Sequence, residues 1–547
     1  MPDEAFDAVV VGSGFGGSVM TYRLAEAGVN VCLLERGKPW PPGSFPRTPL
    51  EFSRATWDPS EGEHGLYDFW SFRGLSALIS SGLGGGSLIY ANVMLRRDER
   101  WFAEGPIRQR WPIDYADLER HYEQVEAMLT PAVYPPHLAA ITPKTRAFAA
   151  AAEREGLERV ETPLAITFSG DGEELGTPFG DPGDNVHHAQ RFTCRLVGEC
   201  DLGGCNFGSK NSLDFTYLSA AARRGALIRC RHEVKAVTPV PDGYLVDVVD
   251  HSDAEEGFPP HPPPQRSILA RRLILSAGAL GTPYLLLKNR GAFPRLSPTL
   301  GTRFCGNGDF LTFAARSARE LEPARGPVIT SAVRVYDADG ADTRDDRPGH
   351  YVEDGGYSAA FAWIAEMLAA PRIAWAQKRL LVKLALGSLA GNPGRHLSGE
   401  LSHLFGGVRL SAGTLPLLGM GREPPQGRMR IVDGKLDVKW SFQLARPYFD
   451  HVHRTMARLA EGMDATMDDN ILWRLSSVIT VHPLGGCPLG ATPADGVVDP
   501  RNGEVHNYPR LHVADGSVMP GPVGPNPSLT IAAVTDRFAD AIVEDAA

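Results

Sequence analysis

Basic residues are in deficit in this chain of 547 residues: 55 lysines and arginines face 65 aspartates and glutamates, a formal net charge of −10. Phosphate backbones demand a cationic surface, so nucleic acid is excluded as the main partner. Long apolar runs are missing too, and no stretch reaches the roughly 20 consecutive apolar residues of a spanning helix. The acidic start "MPDEAFDAVVVG" has neither the basic region nor the cleavage site of a secretory leader. Cysteine is sparse and odd in number, at seven, which does not read as a disulfide framework. Together these absences lead to the expectation of a reducing, cytoplasmic setting. The remaining composition, 43% hydrophobic and 22% charged, is that of a globular protein. The length exceeds one hydrophobic core, so two or more domains, possibly interleaved, are expected.

The N-terminal segment has a definite mechanical pattern. "FDAVVV" reads as a buried strand, and "GSGFGG" puts Gly12, Gly14 and Gly17 in G-x-G-x-x-G spacing. A helix to about Glu26, a stop at Gly28 and a second strand ending at Glu35 follow. Such glycines serve a tight turn, close backbone approach to a pyrophosphate and close helix–strand packing. The helix N-terminus favours phosphate, and Glu35, 23 residues after Gly12, is placed to accept from an adenosine ribose. This is a Rossmann-type unit, and an acid at that position suits FAD and NAD equally.

Further segments fit the same ligand. "SSGLGGGSLIYANVM" concentrates Gly84, Gly85, Gly86 and Ser87 ahead of Asn92, where backbone can approach a flat polar ring. "RRLILSAGALGTPYLLLKN" reads as strand, small-residue turn at Ala277 and Gly278, then helix. "LHVADGSVMPGPVGPNPSLTI" gives a strand ending at Asp515-Gly516 and a helix from about Ser528. An acid beside a helix N-terminus suits ribityl hydroxyls and an anionic reduced ring. In "VITVHPLGGCPLG", His482 read alone is a core residue, a metal ligand or a proton-handling group.

These segments, with "LGTRFCGNGDF", resemble the glucose–methanol–choline flavoprotein family, closest to its cholesterol-oxidase-like branch, over residues 6 to about 545. Pro39–Gly74 and about Arg319–Leu472 match weakly. The resemblance implies an α/β fold: a Rossmann-type FAD-binding domain (1–38, 75–110, 190–310, 473–547) interleaved with an α+β substrate domain on an antiparallel sheet (39–74, 111–189, 311–472). It implies alcohol oxidation, with a proton leaving the hydroxyl and a hydride going to flavin N5. Reoxidation would be by O2 or another acceptor. His482 would then face the flavin and handle the hydroxyl proton or orient the alcohol, and its Gly-Gly turn would let backbone lie on the ring. Asn526, followed by Pro527, resembles the family's asparagine at the flavin edge. Val234 resembles the position whose backbone meets the adenine.

In "HYVEDGGYS" the resemblance offers Glu353 as a base, since a carboxylate in an apolar cavity has a raised pKa. Asp354 competes with it, and the alternative is a polar pair in a surface turn. No histidine occurs between His64 and His121, so FAD is expected to be non-covalent. No metal is expected: Cys487 stands near His482 without a second cluster, and Cys194, Cys200 and Cys205 lack C-x2-C spacing. Ser212 is placed to cap a helix from about Leu213. Residues 367–422 hold seven basic residues against the single acid Glu400 and read as an amphipathic insert. It either packs on the substrate domain or lies on an anionic membrane surface, admitting a sterol or long-chain alcohol. The competing function is a flavoprotein of the same scaffold without net alcohol oxidation, a lyase or a light-driven fatty-acid decarboxylase.

Overall fold

The computed structural model describes residues 2–102, 111–254, 264–336, 348–358 and 413–546. The first apolar run forms strand β1 (Glu4–Val11), in which Ala8, Val9 and Val10 are wholly buried. An apolar strand without alternation belongs inside a parallel sheet covered on both faces. Helix α1 (Phe15–Glu26) follows, then strand β2 (Val31–Leu34), parallel to β1 with Ala8 opposite Val31.

The seven-stranded sheet runs in the order Leu227–Arg229, β2, β1, Gln265–Leu275, Gly243–Asp250, His232–Val240. Leu511–Val513 joins in parallel beside Leu273–Leu275. Gly243–Asp250 and Gln265–Leu275 pair antiparallel as a hairpin, Tyr244 opposite Ala270; the bulk of the connecting segment lies outside the described residues. Five mutually parallel strands therefore end on one edge. Gly12, Glu35, Ser276 and Ala514 follow those ends, at the crevice where open α/β sheets bind ligands.

A second sheet of six strands is antiparallel throughout: Thr466–Asp468, Phe310–Ala315, Leu415–Gly421, His350–Asp354, Ser331–Val335, Glu158–Glu161. The long helix Phe442–Gly462 covers it with Phe449, Val452 and Met456. Here the insert expected over 367–422 is corrected at its end, because Leu415–Gly421 is an inner strand of this sheet. "LPLLGMG" is uncharged and lacks a helical period, the mark of a strand buried on both faces. Residues 367–412 lie outside the described residues. The cap expected at Ser212 is also corrected: the helix is Tyr217–Arg223 with Thr216 at its N-cap. The Ser212 hydroxyl donates instead to Asp214 at 2.5 Å, a local acceptor that competes with the helix terminus.

Candidate active site

At the strand ends Ser13 ties the glycine segments together. Its hydroxyl donates to Glu35 (2.5 Å) and accepts from the Gly84 amide (3.0 Å), while its own amide donates to Glu35 (3.0 Å). Glu35 also accepts from the Gly37 amide at 2.8 Å. Of the about four acceptor sites of a carboxylate, three are taken, which leaves room for one ribose hydroxyl. Gly12 turns the chain at φ 98°, and Gly17 lies against it. Gly14, Gly86 and Gly278 face open space, with no described residue other than their neighbours along the chain within 4 Å of where a Cβ would stand. Gly85 packs on Gly14, and the Ser87 hydroxyl shapes the same loop by donating to the Gly84 carbonyl at 2.7 Å.

Buried Lys210 backs that loop by donating to the carbonyls of Leu88, Tyr90 and Cys200 at 2.9–3.0 Å. The cysteine-rich segment thus packs behind the cradle; burial pushes the Cys200 thiol up to about 12. Among the described residues no group of three metal-ligating side chains occurs. Ala277 caps the helix Gly278–Lys288. Asp515 accepts from the Gly278 amide (2.9 Å), the Thr282 hydroxyl (2.6 Å) and both the amide and hydroxyl of Ser517 (2.8 and 2.5 Å). It joins the two turns, and Gly516 opens the short turn beyond it. Val234 sits, buried, beside a bulge in the edge strand. Asn92 holds a left-handed backbone, and its Oδ1, like that of Asn526, is buried without a partner among the described residues. Open glycine faces flanked by unpaired buried oxygens fit a long, polar, flat ligand such as FAD.

The catalytic candidates converge on the loop Gly306–Asp309. Val478–Thr480 pairs with Leu75–Ser80, and His482 lies two residues past it, its Nδ1 2.7 Å from Asp309 Oδ1. Asp309 Oδ2 accepts from the Thr480 hydroxyl (2.9 Å) and the amides of Val481 (2.8 Å) and His482 (3.2 Å). At the Gly-Gly turn a Cβ at Gly485 would meet the Arg303 carbonyl oxygen at 2.1 Å, and one at Gly486 would meet Pro283 at 2.6 Å, so protein packing by itself requires glycine at both positions. The glycines let Leu484 and Cys305 exchange hydrogen bonds of 2.9 and 3.0 Å, which sets "HPLGGC" beside "FCGNGD".

Asn526 precedes the helix Ser528–Ala546, whose first turn is closed by the Pro527 carbonyl. Asn307 fixes the approach, donating to the Pro525 carbonyl (2.9 Å) and accepting from the Gly524 amide (3.0 Å). Glu353 and Asp354 share a strand, where successive side chains point to opposite faces. Asp354 is fully engaged by Lys144 (2.9 Å) and the amides of Thr330 (2.8 Å) and Ser331 (2.7 Å). Glu353 lies between Ala332 and Leu418 in the sheet, 0% exposed, with neither oxygen in a well-formed hydrogen bond to a described residue. Burial raises its pKa to about 8; the Asn526 amide eases this, while Asp354 and Asp309 add to it. The surface-turn reading of this pair is overturned.

Sequence reasoning missed Asp309, Asn307 and Glu423. The first two stand in "GNGDF", which carried the resemblance without receiving a role. Glu423 gave no signal; it anchors the loop by accepting from the Gly306 amide, and burial raises its pKa to about 8.

Residues 6–305 and 442–535 match the two parts of the family described as GMC oxidoreductase. The chain is 28% identical to the cholesterol oxidase of Acinetobacter baumannii, over 97% of this chain and 93% of that protein. It is 29% identical to the cholesterol oxidase of Mycobacterium tuberculosis, over 98% and 90%. A crystal structure of formate oxidase shares the fold with a TM-score of 0.62 at 15% identity, covering 100% of this chain and 99% of that one. Motifs, cradle and matched regions coincide, and the chain belongs to the GMC oxidoreductase family of FAD-dependent enzymes acting on alcohols.

Proposed function

We propose that this enzyme oxidises a hydrophobic alcohol, sterol-like before long-chain, to the carbonyl. The observation behind this reading is Glu353: a carboxyl with no cation beside it among the described residues, between Ala332 and Leu418 and next to Asn526, in the same cluster as His482. Similarity to two cholesterol oxidases over nearly the whole chain supports the substrate class. In this reading the seven-stranded sheet belongs to the cofactor domain and the six-stranded sheet to the substrate domain. Gly12, Gly14, Gly17, Glu35, Gly84–Ser87, Asn92, Val234, Ala277, Gly278, Asp515, Gly516 and Asn526-Pro527 would hold FAD. When bound, FAD supplies the hydride acceptor, and O2 or another acceptor reoxidises it. Non-covalent binding is favoured because His121, the first histidine past the glycine loop, is held by Asp536 at 2.7 Å.

His482 takes the hydroxyl proton. Glu353, mostly protonated at neutral pH, donates a hydrogen bond to the oxygen as it gains charge, and the enclosed setting strengthens that bond. The direction of the pH effect follows from its raised pKa. Below about 8 the carboxyl keeps its proton and the donor is present; above it the donor is lost. Flavin reduction is expected to fall as pH rises through that value, and Glu353→Gln, a neutral donor, to abolish the fall. A rate that instead climbs through pH 8 would make Glu353 the base.

Anaerobic mixing with cholesterol in mild detergent tests the function. Bleaching of the flavin, reversed by air with peroxide formed, supports a sterol oxidase; slow reversal supports a dehydrogenase. Bleaching by long-chain alcohols alone moves the substrate. A flavin that no alcohol reduces refutes the proposal in favour of the lyase or light-driven reading. No helix among the described residues is long and apolar enough to cross a membrane, and the proposed membrane-facing insert lies largely outside the described residues.

A further inference from the structure

We propose that Asp309 is the positioning residue that holds the His482 hydrogen on Nδ1 and leaves Nε2 bare to take the alcohol's proton. This rests on the reading of His482 as the proton-handling group. Asp309 is 4% exposed and receives His482 Nδ1 on one oxygen at 2.7 Å. Its other oxygen receives three donors: the Thr480 hydroxyl and the amides of Val481 and His482. An ionised carboxylate only accepts, so the imidazole must be the donor at Nδ1. A neutral imidazole has one ring hydrogen, and the bond made by one nitrogen sets the role of the other. No described residue gives Nε2 a hydrogen bond, so its lone pair is left for substrate. The hydroxyl proton would move to Nε2 as the carbinol hydride passes to the acceptor that bound FAD would supply, leaving imidazolium beside the Asp309 carboxylate.

The three donors on Oδ2 make a single substitution informative. In Asp309→Asn the two backbone amides cannot reverse, so the side-chain oxygen must stay with them. The amide NH2 then takes the place of Oδ1 and presents hydrogens to His482 Nδ1. The imidazole can satisfy it only by accepting there, which moves its own hydrogen to Nε2 and occupies the reacting lone pair. The size of the side chain is unchanged.

Holoenzyme labelled with ¹⁵N-histidine reads the tautomer by multiple-bond ¹H–¹⁵N NMR at pH 8, with the His482 signals identified by their loss in His482→Gln. The wild type is expected to carry its hydrogen on Nδ1 and Asp309→Asn to carry it on Nε2. The variant's limiting rate of flavin reduction is expected to fall roughly tenfold to hundredfold, with KM and FAD content little changed. A wild-type hydrogen on Nε2, hydrogens on both nitrogens, or an unmoved tautomer in the variant would overturn the proposal. The wild-type spectrum needs neither a folded variant nor a substrate. If no alcohol reduces the flavin, the functional reading fails while the tautomer is still decided.

Discussion

Replacing His482 with glutamine is expected to slow flavin reduction by alcohol about 10³-fold at saturating substrate, within the range for removal of a general base. Two observations set this size. The imidazole is held on one side by Asp309 at 2.7 Å, so its angle is fixed before substrate arrives. The other groups of the cluster are poor replacements: Glu353 keeps its proton until about pH 8, and Asp354 is locked by Lys144 and two amides. Glutamine preserves polarity but accepts no proton near neutrality. The fold should persist, because Asp309 Oδ2 retains its donors from Thr480, Val481 and residue 482 itself. Anaerobic stopped-flow at equal FAD content gives the measurement. A loss under tenfold would remove His482 from the chemistry.

The second large effect belongs to Gly17. A Cβ there would stand 1.8 Å from the Gly12 carbonyl oxygen and 3.2 Å from Ser276 Cβ. The first neighbour is backbone and cannot rotate away, so α1 must lift from β1. Gly17→Ala is expected to cost more than about 3 kcal/mol, the upper end for overpacking, and to yield protein without FAD. Gly14→Ala is the contrasting variant, since among the described residues nothing beyond its chain neighbours lies within 4 Å of its Cβ position. Its apoprotein should melt as the wild type does, with weakened FAD binding, because the methyl enters the ligand's space. Thermal melts with and without added FAD separate the two. Equal apoprotein stability in both variants would refute the packing role of Gly17.

Local periodicity made the first half of the site legible. The run "FDAVVV", the glycine spacing and Glu35 depend on contacts within some 30 residues, and β1, α1 and β2 appear where they were read. The C-terminal helix was legible for the same reason. What spacing could not convey was pairing at long range. Asp309 stands 173 residues from His482 and Asn307 218 from Pro525, and no local pattern links them. One position misled because a nearer partner won: Asp214 drew the Ser212 hydroxyl away from a helix. Glu353 and Asp354 were inseparable in sequence; strand alternation turns them to opposite faces, and Asp354 is the one tied to Lys144 and two amides.

The pairing of Leu511–Val513 with Leu273–Leu275 also dictates an order of events during synthesis. The edge that these residues seal is made some 240 residues before its cover emerges. Closing so long a loop is entropically costly and slow, and until it closes the chain presents an unpaired strand edge able to template association with another copy. Asp515, which clamps the turn at Gly278, arrives on the same segment. The cofactor cradle and the protection of that edge are therefore completed by a single late docking step, so an FAD-bound chain is one whose most aggregation-prone stage has already passed.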